Sequence, residues 1–187
     1  PGHHGKLPGV WVDDAAAMAS VVEYLSALGH RRIAHVAGIA GMLHTELRRT
    51  AFCEAGDRLG LDWTTSLTTD YTADEGAQVT RRLLSTAKRP TAIIYDNDVM
   101  AVAGAAVAHE MGVEVPRDLS ITAWDDSVLC QIVHPPLSAV SRDISAYGAE
   151  VAEALLDQID GKPVQDFRHQ TPRLVTRGST ARAPVTT

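Results

Sequence analysis

The chain has only two cysteines, Cys53 and Cys130, far apart and in neither metal-ligand nor Cys-x-x-Cys spacing. A disulfide scaffold is thereby excluded, and a reduced, cytoplasmic compartment is the simpler expectation. No apolar run is long enough to span a bilayer, and Pro1-Gly2-His3-His4-Gly5-Lys6 carries no apolar signal-peptide core. Positive charge is not in excess either: 17 basic against 23 acidic residues give a formal charge of −6. The acidic residues are spread along the chain, and a surface of that sign repels phosphate backbones. This segment is therefore not expected to grip nucleic acid by itself. The nucleophile elbow Gly-x-Ser-x-Gly, the phosphate-binding Gly-x-x-x-x-Gly-Lys loop and a Gly-x-Gly-x-x-Gly turn after a strand are all missing, which weakens an enzymatic reading. His109-Glu110 lacks the second histidine of a zinc-protease motif, and His3-His4 reads as linker or surface.

What is present is enough to fold. With 187 residues, 45% of them apolar and 21% charged, the chain can bury a core. Strand-like and helix-like segments alternate. Val10-Trp11-Val12 is β-prone, and Met18, Val21, Val22, Leu25 and Leu28 then recur at helical spacing up to Gly29. Ile33 to Ala37 reads as a strand, Glu46 to Leu59 as a helix, and Thr64 to Thr69 as a weaker strand. A helix from Asp74 to Ala87 precedes the continuous apolar strand Ala92-Ile93-Ile94-Tyr95, which is expected to be covered on both faces. Val99 to Met111 is apolar almost all round and reads as a buried helix, followed by a strand from Leu119 to Trp124. Ile144, Tyr147, Val151, Leu155 and Ile159 mark a last amphipathic helix, and Phe167 to Thr176 reads as one or two edge strands. Such alternation predicts βαβ units, a mostly parallel sheet and flanking helices.

In parallel sheets ligands bind at the carboxyl ends of the strands. Three of those ends are acidic or amide-rich: Val12-Asp13-Asp14, Tyr95-Asp96-Asn97-Asp98 and Trp124-Asp125-Asp126. Asp14, Asp98 and Asp126 immediately precede helix-like runs and are expected to be N-caps. Asn97 and Asp125 stand one residue earlier, where a side chain leaves the strand toward the crevice. An amide offers donor and acceptor together and a carboxylate accepts two hydroxyls, which suits a polyhydroxyl ligand. Trp124 is expected in the core.

These segments also carry a family likeness. Val12-Asp13-Asp14, Leu28-Gly29-His30-Arg31-Arg32-Ile33-Ala34, Arg48-Arg49-Thr50-Ala51-Phe52, Pro90-Thr91-Ala92-Ile93, Asp96-Asn97-Asp98, Val115-Pro116-Arg117-Asp118-Leu119-Ser120-Ile121, Trp124-Asp125-Asp126 and Pro135-Pro136-Leu137, in that order, resemble the LacI/GalR family of bacterial transcriptional regulators. The likeness runs from about Val10 to Ser179. It implies a periplasmic-binding-protein-like type I fold, two α/β lobes joined by crossover strands with an effector in the cleft. It also implies that Arg48 clamps effector oxygens, with Asn97 and Asp125 as hydrogen-bonding partners. Tyr71 falls where the family often places a stacking aromatic, although an ordinary loop tyrosine fits as well. Arg142 falls where various polar contacts occur, and His44 could line the cleft.

The resemblance implies an organisation as well. Residues 1–11 would be a crossover remnant of an N-terminal lobe and 12–137 a complete C-terminal effector-binding lobe. Residues 138–180 would return to a partial N-terminal lobe through a crossover, helix and strands, leaving 181–187 as tail. The family's helix-turn-helix headpiece has no counterpart here, so operator DNA would be reached only through the parent protein. The expected function is sensing of a small sugar-like effector by a homodimeric regulator, with no catalysis, no cofactor and no membrane. A transporter-type sugar-binding protein and an α/β enzyme using Asp125 or Asp98 are the rival readings. The helix of Ile144 to Ile159 would lack its usual strands and either pair with itself in a dimer or re-dock.

Overall fold

The computed structural model describes residues 9–163 and 166–184. Most of residues 1–11 and part of the tail, including His3-His4, lie outside the described residues.

The apolar runs become a six-stranded sheet. Its strands are β2 (Arg32–Ala37), β3 (Trp63–Thr68), β4 (Ala92–Tyr95), β5 (Ser120–Trp124), β6 (Ser138–Ser141) and β8 (Arg173–Val175), in the order β3-β2-β4-β5-β6-β8. The first five are parallel and β8 closes the edge antiparallel to β6. Every residue of β4 and β5 is buried, as two-sided coverage requires.

The two layers of helices are built from stripes at helical spacing. On one face α1 (Asp14–Ala27) and α2 (Leu43–Arg58) pack Met18, Val21, Val22, Leu25 and Phe52 onto Ile33, Ile94 and Trp124. On the other, α3 (Ala73–Leu84) and α4 (Asp98–Glu110) pack Leu83, Leu84, Met100 and Ala101 onto Ile93, Tyr95 and Ile121. The short α5 (Val128–Ile132) inserts Cys130 into this second core.

Chain order and space order part company at β2. Its successor β3 lies on one side, while β4 lies on the other. Loops leaving β2 and β4 diverge there and open a crevice at the carboxyl edge of the sheet.

A second, small body stands apart. Strand β1 (Val10–Trp11) pairs in parallel with β7 (Phe167–Arg168), and α6 (Ile144–Ile159) lies against β1. Segment 138–180 thus divides: β6 and β8 extend the main sheet, whereas α6 and β7 join β1. The polypeptide after β8 is also tied to the main sheet, with Ile121 N–H donating to Ser179 O at 2.9 Å and Ala183 N–H to Leu28 O at 2.9 Å.

Candidate functional site

At the crevice between the diverging loops lies a cavity of about 360 Å³. It is lined by Arg48, Tyr71, Asn97, Asp125 and Arg142, and additionally by Asp14, His44 and Asp96. The five residues singled out in the sequence therefore meet in one place, although they come from five separate segments. Residues 44 and 48 are one turn apart on α2 and share a face. Tyr71 follows β3, Asp96 and Asn97 follow β4, Asp125 follows β5, and Arg142 follows β6. A larger hollow of about 620 Å³ lies against α4, walled largely by Val102, Ala105, Val113, Val115 and Val133. Its polar side chains are His109, Glu114 and His134, against eight at the crevice, so size does not select the site.

Arg48 is buried, with its guanidinium 4.0 Å from the Trp124 ring. It donates from Nη2 to Asp14 Oδ1 at 3.0 Å and stands 3.4 Å from Asp96 Oδ1. Asp96 in turn accepts from Gly38 N–H at 3.0 Å and meets His35 Nε2 at 3.1 Å, while His35 Nδ1 contacts Ser66 Oγ at 3.0 Å. Burial pushes the Asp96 carboxyl up, but the His35 ring, the Arg48 guanidinium and the Gly38 N–H outweigh it and hold the group below the ordinary carboxylate range.

The expected caps require a correction by one residue. Asp13, not Asp14, caps α1, accepting from Ala16 N–H at 2.9 Å. Asn97, not Asp98, caps α4 through Met100 N–H at 2.8 Å, and Ser127, not Asp126, caps α5. Periodicity places a helix start only to within a residue or two, and one residue exchanges cap for first-turn side chain. Asp14 is freed to pair with Arg48, Asp98 accepts from the Ser127 hydroxyl, and Asp126 pairs with Arg177 at 2.8 Å. Asn97 also donates from Nδ2 to Tyr71 O at 2.9 Å. One amide proton and one oxygen lone pair of Asn97 are left for a ligand.

Tyr71 and Asp125 have φ of 70° and 67°, the only positive values at non-glycine positions among the described residues. Left-handed backbone at a residue with a Cβ costs about 1–2 kcal/mol, and such strain gathers at ligand sites. Tyr71 lies across Gly38 so closely that a Cβ at Gly38 would fall 1.8 Å from Tyr71 Cζ. Its hydroxyl meets His44 Nε2 at 2.8 Å and Thr45 Oγ1 at 3.1 Å, and burial raises its pKa. Asp125 stands 3.6 Å from Arg142 at the rim. Burial, reinforced by the fields of Asp98 and Asp14, lifts its carboxyl above the usual value against the pull of Arg142 and Arg48. Trp124 is in the core, as its strand position implied.

Asp14 and Asp96 belong to the acidic strand ends visible in the sequence, but Asp14 was expected as a cap and Asp96 was assigned no ligand contact, and the structure adds both to the cavity lining. Among the described residues no three His, Cys, Asp or Glu side chains converge to hold a metal ion.

A profile of the periplasmic binding protein-like domain matches residues 22–180. The chain belongs to that family. Within it the chain is similar to the HTH-type transcriptional repressor CytR of Escherichia coli K12, 34% identical over 96% of this chain and 53% of the repressor. A crystal structure of a LacI family transcriptional regulator from Bifidobacterium animalis superposes with a TM-score of 0.92 at 46% identity, over 95% of this chain and 65% of that one. A LacI family regulator from Enterococcus faecium with bound ribose superposes with a TM-score of 0.87 at 28% identity, over 96% of this chain and 67% of that one. This periplasmic binding protein-like chain thus corresponds to effector-binding sequence of LacI-type regulators, and these relatives are regulators rather than enzymes. It spans about half the length of the curated relative it matches.

Proposed function

We propose that the chain is the sensing part of a LacI/GalR-type transcriptional regulator and that its cavity binds a small polyhydroxyl effector, such as a sugar. The observation that carries this reading is the convergence of Arg48, Asn97, Asp125, Tyr71 and Arg142 on one cavity at the sheet's switch point. Asp125 offers two acceptor oxygens, Asn97 a spare donor and acceptor, and Tyr71 an aromatic face for C–H surface. Arginines at floor and rim supply planar donors. The bound ribose of the Enterococcus regulator is of the same chemical class.

The effector would sit between this lobe and the remainder of the parent protein, and change the angle between the two. In a dimer that change alters the spacing of the attached DNA-reading headpieces in the cytoplasm. Couplings of this kind are about 1–3 kcal/mol. Self-association is supported by the apolar side chains that the described residues leave in water on α5 and α6.

A calorimetric sugar screen on the full-length regulator tests the assignment. Asp125→Ala should abolish the ligand response and leave operator binding intact. Unchanged ligand affinity in that variant would overturn the site.

A further inference from the structure

An arginine in a ligand cavity ordinarily suggests an anionic ligand, but the surroundings of Arg48 point the other way. Its Nε and Nη2 both donate to Asp14 Oδ1, at 3.3 and 3.0 Å. Its Nη1 donates to the Asp96 carbonyl oxygen at 3.4 Å and lies 3.4 Å from Asp96 Oδ1. Side-chain exposure is 6% for Arg48, 10% for Asp14 and 0% for Asp96, so water screens these charges little. Most of the fork is already engaged, and the stacked Trp124 ring occupies one face of the plane.

Asp96 is itself fixed by His35 and by Gly38 N–H. A buried chain His35–Asp96–Arg48–Asp14 therefore runs along the cavity floor. Around the cavity the two arginines Arg48 and Arg142 face three carboxylates, Asp14, Asp96 and Asp125. With the His35 and His44 rings uncharged, the balance is negative before any ligand enters, and the field of Asp98 adds to it at Asp125.

We propose that Asp14 and Asp96 are specificity-determining positioning residues: they hold Arg48 in place and cancel its charge, so that the cavity accepts a neutral polyhydroxyl ligand and rejects the phosphorylated or carboxylated counterpart. Hydroxyls can accept from the remaining guanidinium N–H groups and donate to Asp125. An anion finds no uncompensated cation and meets carboxylates of its own sign in a poorly screened space. The inference rests on the effector-site reading for its ligand, but the charge cancellation is testable without one.

The probe is inorganic phosphate, titrated against the chain at constant ionic strength and followed by phosphorus NMR and thermal denaturation. The wild-type chain should show no saturable binding that depends on Arg48. Asp14→Asn keeps the shape and an acceptor for Arg48 while removing one charge. It should bind phosphate at least about tenfold more tightly than wild type, the effect of about 1.4 kcal/mol of relieved repulsion. Adding Arg48→Gln to that variant should abolish the gain. Asp96→Asn is the second variant should Asp14→Asn fail to fold.

Phosphate binding by wild type that disappears in Arg48→Gln would overturn the proposal, as would a folded Asp→Asn variant no tighter than wild type. In the sugar screen, equal affinity for a sugar and its phosphate would also overturn it. If no sugar binds at all, the sugar reading of the cavity fails, while the phosphate arms still decide whether Arg48 has been neutralised.

Discussion

Two helices of equal length, α2 and α6, have opposite fates. The 16 residues of α2 bury Thr45, Arg48, Ala51, Phe52, Ala55 and Gly56, whereas none of the 16 residues of α6 is buried. By pattern alone α6 is the more convincing amphipathic helix, with Ile144, Val151, Leu155 and Ile159 at helical spacing. Yet Ile144 and Ile159 stand 65% and 72% exposed, while Phe52 and Met18 in the main body are fully enclosed. An apolar stripe specifies a helix and a face that seeks cover, but the covering surface must come from elsewhere in the fold. In the main body the sheet supplies it. Among the described residues α6 is held against β1 and β7 by the Tyr147 hydroxyl bonded to Val10 O at 3.1 Å, the Glu150–His169 contact and the edge-on Tyr147–His169 ring pair.

Substitutions in the main body should therefore be costly, beginning with the buried charge chain. Arg48→Ala leaves Asp14 without its partner and Asp96 with only His35 and Gly38 N–H, and should destabilise the chain by about 3–5 kcal/mol, measured as a shift in urea midpoint at unchanged slope. Phe52→Ala empties a fully enclosed site between α2, α1 and the sheet. A loss of about 3–5 kcal/mol is expected, at the lower end where neighbours collapse inward.

The polypeptide beyond β8 gives a pH-dependent test of how firmly the main body is closed. His30 is fully enclosed, with Nδ1 against Thr91 Oγ1 at 2.9 Å and Nε2 against Ala181 O at 3.0 Å. Burial depresses its pKa below 6.5, more than the Ala181 hydrogen bond restores. The unfolded chain then binds the proton more readily than the folded one. Stability should fall as pH drops below about 6.5 toward the lowered folded value, and this slope should flatten in His30→Gln. A slope unchanged by that substitution would locate the proton uptake elsewhere.

The smallest effect belongs to α6. At concentrations where the chain is monomeric, Leu155→Ser and Ile159→Ser should each change its stability by no more than about 0.5 kcal/mol. A loss in either comparable with Phe52→Ala would break the contrast and mean that α6 is covered after all.

Much of this organisation was legible from the residues. The continuous apolar run Ala92–Tyr95 announced a strand covered on both faces, and α1 to α4 followed from apolar side chains at helical spacing. Convergence of Arg48, Asn97 and Asp125 was expected from strand ends and family likeness. Their immediate partners were not. That Asn97 caps α4, and that Asp14 turns from cap to counter-ion, depends on where each helix begins to within one residue. Hydrophobic period does not resolve that, because a helix face is broader than one position.

What the sequence determined by itself was local: which segments are strands or helices, and which strand ends bear polar side chains. Backbone preference and side-chain period act over a few residues, so they can be read there. Only the tertiary structure decided that β3 and β4 depart to opposite sides of β2, that the crevice opens between the loops leaving β2 and β4, and that Asp14 and Asp96 close on Arg48. Those outcomes depend on contacts across 34 and 48 positions of chain. A buried charge takes its partners from whatever the packed sheet brings near, since it cannot be left without them.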